Sequence, residues 1–232
     1  YLRFGAQARQ FTFFAFDRII PGLSVAHLSP NGGPSAGNTL VRVTGTGFND
    51  LGGMWCQFGE AAVPATRLDS VTLLCDSPPA NPASAFEVTA VEVTINGQLH
   101  QRTSDSTAFH YFRRSDVLIT MIYPMGGPGA GGTLVTVLGQ GFRDLNHGTG
   151  LYCAFGGPLV PATVAAGSSE GRLTCRTPPV APFITDPQML CPATYGRSSV
   201  PVRLTLNANN SKAGNESAMT SVGGSATRFT YH

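Results

Sequence analysis

Five cysteines, five histidines and one glycine-rich run are the residues of this chain whose types invite chemistry. Cys56 and Cys75 stand 19 residues apart, Cys153 and Cys175 stand 22 apart, and Cys191 stands alone. No Cys-x-x-Cys occurs and no histidine lies at ligand spacing, so the set is not a zinc signature. His27, His100, His110, His147 and His232 adjoin no nucleophile motif: there is no Gly-x-Ser-x-Gly and no His-Glu-x-x-His. They read as structural or solvated side chains. Gly127-Pro128-Gly129-Ala130-Gly131-Gly132 has the form Gly-x-Gly-x-x-Gly, but a strand pattern, Thr133 to Leu138, follows it where a phosphate site needs a helix. It reads as a turn. Asp50 and Asp144 each follow a Gly-Phe pair without the clustered carboxylates a hard cation needs, so they read as turn formers. No catalytic residue, cofactor or metal site is assigned.

Composition narrows the class further. Of 232 residues, 42% are hydrophobic, and Gly (28) and Pro (17) are abundant. Frequent turns and many short strands follow. Charged residues are 12%, well below the roughly 25% of ordinary soluble domains. Such a surface suits glycosylation or packing into an assembly. A net charge of +2 is too small to point to nucleic acid, and Arg113-Arg114 is too small a basic patch. No 18-residue apolar run is present, so no membrane insertion is expected. Tyr1-Leu2-Arg3-Phe4 has neither the charged nor the apolar region of a signal peptide, and no methionine precedes it. The expectation is a chain that begins within a longer polypeptide.

An internal repeat sets the organisation. Gly33-Pro34 through Val43 matches Gly127-Pro128 through Val137, and Gly45-Thr46-Gly47-Phe48 matches Gly139-Gln140-Gly141-Phe142. Cys56-Gln57-Phe58-Gly59 matches Cys153-Ala154-Phe155-Gly156, and Cys75 to Pro79 matches Cys175 to Pro179. Val91, Val93 and Ile95 match Val202, Leu204 and Leu206; Phe109-His110-Tyr111 matches Phe229-Thr230-Tyr231. The offset grows in small steps, as when loops lengthen and strands do not. Val91-Glu92-Val93-Thr94-Ile95 alternates with period two, which places its apolar residues on one buried face. Repeats of this length with closely spaced turn signals indicate an all-β chain of tandem immunoglobulin-like β-sandwiches.

The succession Ile/Leu-x-Pro, Gly-Pro, Gly-x-Thr-x-Val-x-Val, Gly-x-Gly-Phe, Cys-x-Phe-Gly, Cys-x-x-Pro-Pro and Phe-x-Tyr resembles the IPT/TIG family. It occurs twice in order. The resemblance implies early-set immunoglobulin-like domains over residues 19–112 and 113–232. Phe14-Ala15-Phe16, an echo of the closing Phe-x-Tyr, makes residues 1–18 the expected last strand of a preceding repeat and its linker. It also implies disulfides Cys56–Cys75 and Cys153–Cys175, as in extracellular members; buried free thiols are the alternative. Cys191 has no counterpart and is either free or paired outside the repeats. Insertions at about 181–198 and 208–226 distinguish the second repeat. The later one carries two sequons, Asn209-Asn210-Ser211 and Asn215-Glu216-Ser217, whose Asn209 and Asn215 are expected to bear N-linked glycans.

The functional expectation is non-catalytic: a structural and adhesive segment of a large extracellular, cell-surface or ciliary-surface protein. The short linker from Phe112 to Val117 predicts a stiff rod. Its partners are neighbouring repeats and other proteins or filament subunits. Two alternatives come with the resemblance, an accessory domain of a secreted carbohydrate-active enzyme and the IPT domain of a DNA-binding transcription factor. The cysteines and sequons weigh against the second.

Overall fold

Alternation of apolar and polar residues produces strands along both repeats. In Leu40–Thr46, Val41 and Val43 are buried while Arg42 between them faces solvent; Val135 and Val137 repeat this in Leu134–Gln140. A computed structural model describes residues 22–49, 52–80, 88–98, 101–156, 159–164, 171–180, 198–207, 219–220 and 227–232. Residues 1–18, Cys191, Asn209, Asn215 and most of both insertions lie outside the described residues.

The first repeat contains β1 (Ser24–Ser29), β2 (Gly32–Pro34), β3 (Leu40–Thr46), β4 (Trp55–Phe58), β5 (Ala61–Arg67), β6 (Thr72–Asp76), β7 (Val88–Thr94) and β8 (Thr107–Phe112). The second contains β9 (Leu118–Tyr123), β10 (Gly126–Gly127), β11 (Leu134–Gln140), β12 (Tyr152–Phe155), β13 (Leu159–Val164), β14 (Arg172–Arg176), β15 (Ser198–Thr205), β16 (Met219–Thr220) and β17 (Arg228–Tyr231). The pairing order is β1-β3-β6-β5-β4-β7-β8-β2, repeated as β9-β11-β14-β13-β12-β15-β17-β10, with β16 beside β15. Strand β5 serves both layers. Its first half pairs with β4 up to Pro64, and its second half pairs with β6 from Ala65. Strand β13 does the same at Pro161 and Ala162. A proline has no N–H to give a ladder, so it suits the point where a strand leaves one sheet for the other.

Each sandwich closes on a matching core. Phe109 packs edge-on against Phe58 and Tyr111, with centroids 5.3 and 5.0 Å away; Phe229 does so against Phe155 and Tyr231 at 5.6 and 4.9 Å. The Tyr111 hydroxyl donates to Pro78 O at 2.8 Å, and Tyr231 donates to Pro178 O at 3.1 Å. The closing Phe-x-Tyr and the Cys-x-x-Pro-Pro of each repeat are therefore two ends of one contact. Cys56 on β4 bridges to Cys75 on β6 across the layers, Cα to Cα 6.3 Å; Cys153 and Cys175 bridge likewise at 6.4 Å. Loops of this size stabilise by about 3 kcal/mol each in the chain-entropy model.

The first glycine of each Gly-x-Gly-Phe is fixed by close approach. Strand β1 bulges at Ala26 and β9 at Thr120, which presses a carbonyl onto the facing strand. A Cβ on Gly139 would lie 1.9 Å from Leu118 O and 2.5 Å from the Phe142 ring; one on Gly45 would lie 1.9 Å from Ser24 O. Gly139→Ala is expected to destabilise the second repeat by about 2 kcal/mol or more, read as a lower urea midpoint at unchanged slope. An unchanged midpoint would remove the bulge as the reason for that glycine.

Candidate functional site at the joint between the repeats

Among the described residues the two sandwiches meet through a short connection, the loop after Phe142 and Asn207. Phe112 ends β8; its carbonyl accepts from Ser35 N at 2.7 Å, and its side chain packs into the second repeat's core beside Val117 and Leu145. Arg114–Asp116 forms a single 3-10 turn, closed by Asp116 N to Arg113 O at 3.1 Å and Val117 N to Arg114 O at 3.2 Å. Every residue from Phe112 to Val117 is thus in a strand, in the turn or directly beside it.

The loop is the segment after Gly141-Phe142. From Phe142 to Cys153 it is three residues longer than the matching stretch from Phe48 to Cys56. Asp144 organises it: one carboxylate oxygen accepts from Asn146 N at 2.8 Å and from Gly150 N at 3.1 Å. Asn146 O accepts from Thr149 N at 3.0 Å and from the Thr149 hydroxyl at 2.8 Å. His147 takes a left-handed φ of 51°, and Leu145 N donates to Leu206 O at 3.0 Å. The loop is therefore shaped by its own repeat.

Its tip rests on the first repeat along β1 and β2. Asn31 N donates to Leu145 O at 3.0 Å, and the Ser29 hydroxyl donates to Asn146 Oδ1 at 2.8 Å. His147 Nε2 lies 3.1 Å from Leu28 O; a carbonyl only accepts, so this nitrogen carries the hydrogen. The His27 and His147 rings lie against each other with centroids 4.1 Å apart and planes tilted by 35°. Asn207, just after β15, is 1% exposed and directs its amide at Gly32 O at 3.4 Å. Leu145 sits directly over Gly32: a Cβ there would lie 2.9 Å from Leu145 Cδ1. The arrangement excludes water from Leu145, which is 3% exposed, and satisfies backbone groups of the first repeat with partners from the second.

One titratable group senses the joint. His110 on β8 is pushed below the usual imidazole range, first by burial and then by the positive charge of Arg143 from the second repeat. Its Nδ1 is buried without a hydrogen-bond partner among the described residues, so nothing there stabilises a second ring proton.

The residues singled out from sequence fall into three groups. Cys56, Cys75, Cys153 and Cys175 lie within the cores, away from the joint. His27, His110, His147 and Asp144 come together at the joint, the first three as packing or hydrogen-bonding groups. Cys191, Asn209 and Asn215 lie outside the described residues, as do His100 and Asp50. The glycine-rich run ends in a turn before β11. Among the described residues no group of three or more His, Cys, Asp or Glu is placed to hold a metal ion, and no helix is long and apolar enough to cross a membrane. Leu145, Asn146, Asn207 and Ser29 escape a reading by repeat alone. Their one sequence signal is the step in offset between Gly-Phe and Cys-x-Phe-Gly, which marks this loop as longer in the second repeat.

The model of the IPT/TIG domain family matches residues 23–111 and again 118–231. The chain is 36% identical to human (Homo sapiens) Fibrocystin-L over 123 residues, 53% of this chain, and 34% identical to the mouse (Mus musculus) protein over 132 residues, 56% of this chain. It spans about 3% of the length of these curated relatives. A structure of the full extracellular region of plexin A4 superposes on 89% of this chain and 16% of its own, with a TM-score of 0.57 at 19% identity, a likeness of fold. With two consecutive matches that together cover nearly all of it, the chain belongs to the IPT/TIG domain family.

Proposed function

We propose that this chain is a non-catalytic, semi-rigid structural and adhesive segment of a larger extracellular or cell-surface protein. Its two sandwiches hold a fixed spacing and present loops and edge strands to protein partners. The observation that carries this reading is the joint, where a self-supported loop of one repeat occupies backbone groups and a glycine surface of the other. Two repeats joined by a slack linker would need no such contact. The disulfides suit an oxidising compartment. The plexin A4 structure of like fold is of an extracellular region, which supports the same placement. N-glycans on Asn209 and Asn215, and a partner for Cys191 outside these repeats, belong to this proposal. Membership of a filament or a ciliary surface fits the short linker and the sparse charge.

Two tests follow from the joint. In the full-length protein, Leu145→Asp together with Asn146→Ala is expected to leave surface display intact but to weaken cell adhesion or partner capture, because the spacing between presented surfaces is lost. Unchanged adhesion by a variant whose two sandwiches remain folded would contradict the reading. The second test is acidification. His110 is held below its ordinary pKa of 6.5, so the folded joint favours the neutral ring. That contribution is present above pH 6.5 and is lost as pH falls below it and through the depressed folded value. The urea midpoint is expected to drop between pH 7.5 and 5.5, and to drop less in His110→Gln. A midpoint that rises on acidification would oppose this.

A further inference from the structure

The chain contains an internal control for its own surface. The positions of β1 and β2 that receive the loop in the first repeat are His27, Ser29, Asn31 and Gly32. Counting 94 residues on, as for the Gly-Pro and Gly-Phe motifs, gives Met121, Tyr123, Met125 and Gly126. Leu28 and Ile122 between them are both buried, and Pro30 matches Pro124, so the two faces share one backbone path.

The two faces differ in cover. In the first repeat Pro30, Gly32 and Pro34 are buried; in the second Pro124 and Gly126 are half-buried and Pro128 is exposed. Tyr123 is 72% exposed, Met125 49% and Met121 45%. Above Gly32 lies Leu145 of the next repeat; above Gly126 the nearest side chain is His232 of its own repeat, at 3.8 Å from an added Cβ. Asn31 N donates to Leu145 O, whereas no described residue accepts from Met125 N. Three large apolar side chains at alternate positions are left in water on this face.

The exit of the chain is also reproduced. In the first repeat Ser35 N donates to Phe112 O at 2.7 Å, and the polypeptide passes from there into the loop-bearing repeat. In the second, Gly129 N donates to His232 O at 2.9 Å. A repeat joined after His232 by a linker like Arg113–Val117 therefore starts beside the exposed face, as the second repeat starts beside the first.

We infer that Met121, Tyr123 and Met125 form a docking surface for a further IPT/TIG repeat of the same polypeptide, C-terminal to His232, which seats the loop after its own Gly-Phe there. The occupant is more apolar at its tip than Leu145-Asn146-His147, because the receiving residues are methionine and tyrosine where the first joint has histidine, serine and asparagine. Met side chains adapt to such a partner and Tyr adds area at low entropic cost. This inference rests on the joint described above, and carries it from one observed junction to the next.

The test is site-specific photo-crosslinking in the full-length protein, purified and dilute. Tyr123→benzoylphenylalanine places the probe on the exposed face; Ser29→benzoylphenylalanine is the control at the observed joint. The expected products are intramolecular: from position 29 to residues 143–150, and from position 123 to the segment after Gly-Phe of the following repeat. Loss of the position-29 product would sink the joint itself. With that product present, no crosslink from position 123, or a crosslink to another molecule or to any other part of the polypeptide, would overturn the docking inference alone.

Discussion

The seating of Leu145 over Gly32 is the contact on which the tandem arrangement depends. It requires three things at once. Gly32 must have no side chain, since a Cβ there would meet both Leu145 and the carbonyl of His110. The loop must hold its shape before it docks, which Asp144 achieves by gathering two backbone N–H groups. The linker must bring the repeats within reach, which the single turn at Arg114–Asp116 does. Each condition lies in a different element. Each hydrogen bond across the joint is worth only about 1 kcal/mol net. Their effect on orientation is larger than that figure suggests, because Asn31, Ser29, Leu28 and Gly32 are contacted along a line and not at one pivot.

Most of the sandwich was legible in the residues, and for a physical reason. Val41, Val43, Val91 and Val93 alternate with polar neighbours, and the matched Gly-Phe, Cys-x-Phe-Gly and Cys-x-x-Pro-Pro runs each fill one place in the core. Such features depend on local order along the chain, which repetition exposes. One repeated run, Val63-Pro64-Ala65-Thr66 with Val160-Pro161-Ala162-Thr163, holds the place where a strand changes sheets. Its meaning is topological, so spacing alone does not disclose it.

The joint was less legible because it pairs unlike positions. Ser29 meets Asn146 across 117 residues, and Gly32 meets Asn207 across 175. A search for likeness between repeats aligns Ser29 with Tyr123 and passes over its partner. The short linker is the sequence's one pointer to stiffness, and the structure adds a contact from the lengthened loop after Phe142. The insertions at about 181–198 and 208–226 carry the cysteine and sequons that attract notice. Among the described residues, the inter-repeat contact uses a lengthening of three residues after Phe142.

A single rigid orientation of the two sandwiches is the central claim, and residual dipolar couplings measure it without labels at the joint. Backbone N–H couplings from strands of both repeats, collected in one weakly aligned sample, are predicted to fit one alignment tensor with equal magnitude and axes in this arrangement. Separate tensors of clearly different magnitude for residues 24–112 and 118–231 would show the repeats reorienting independently, and would contradict the account.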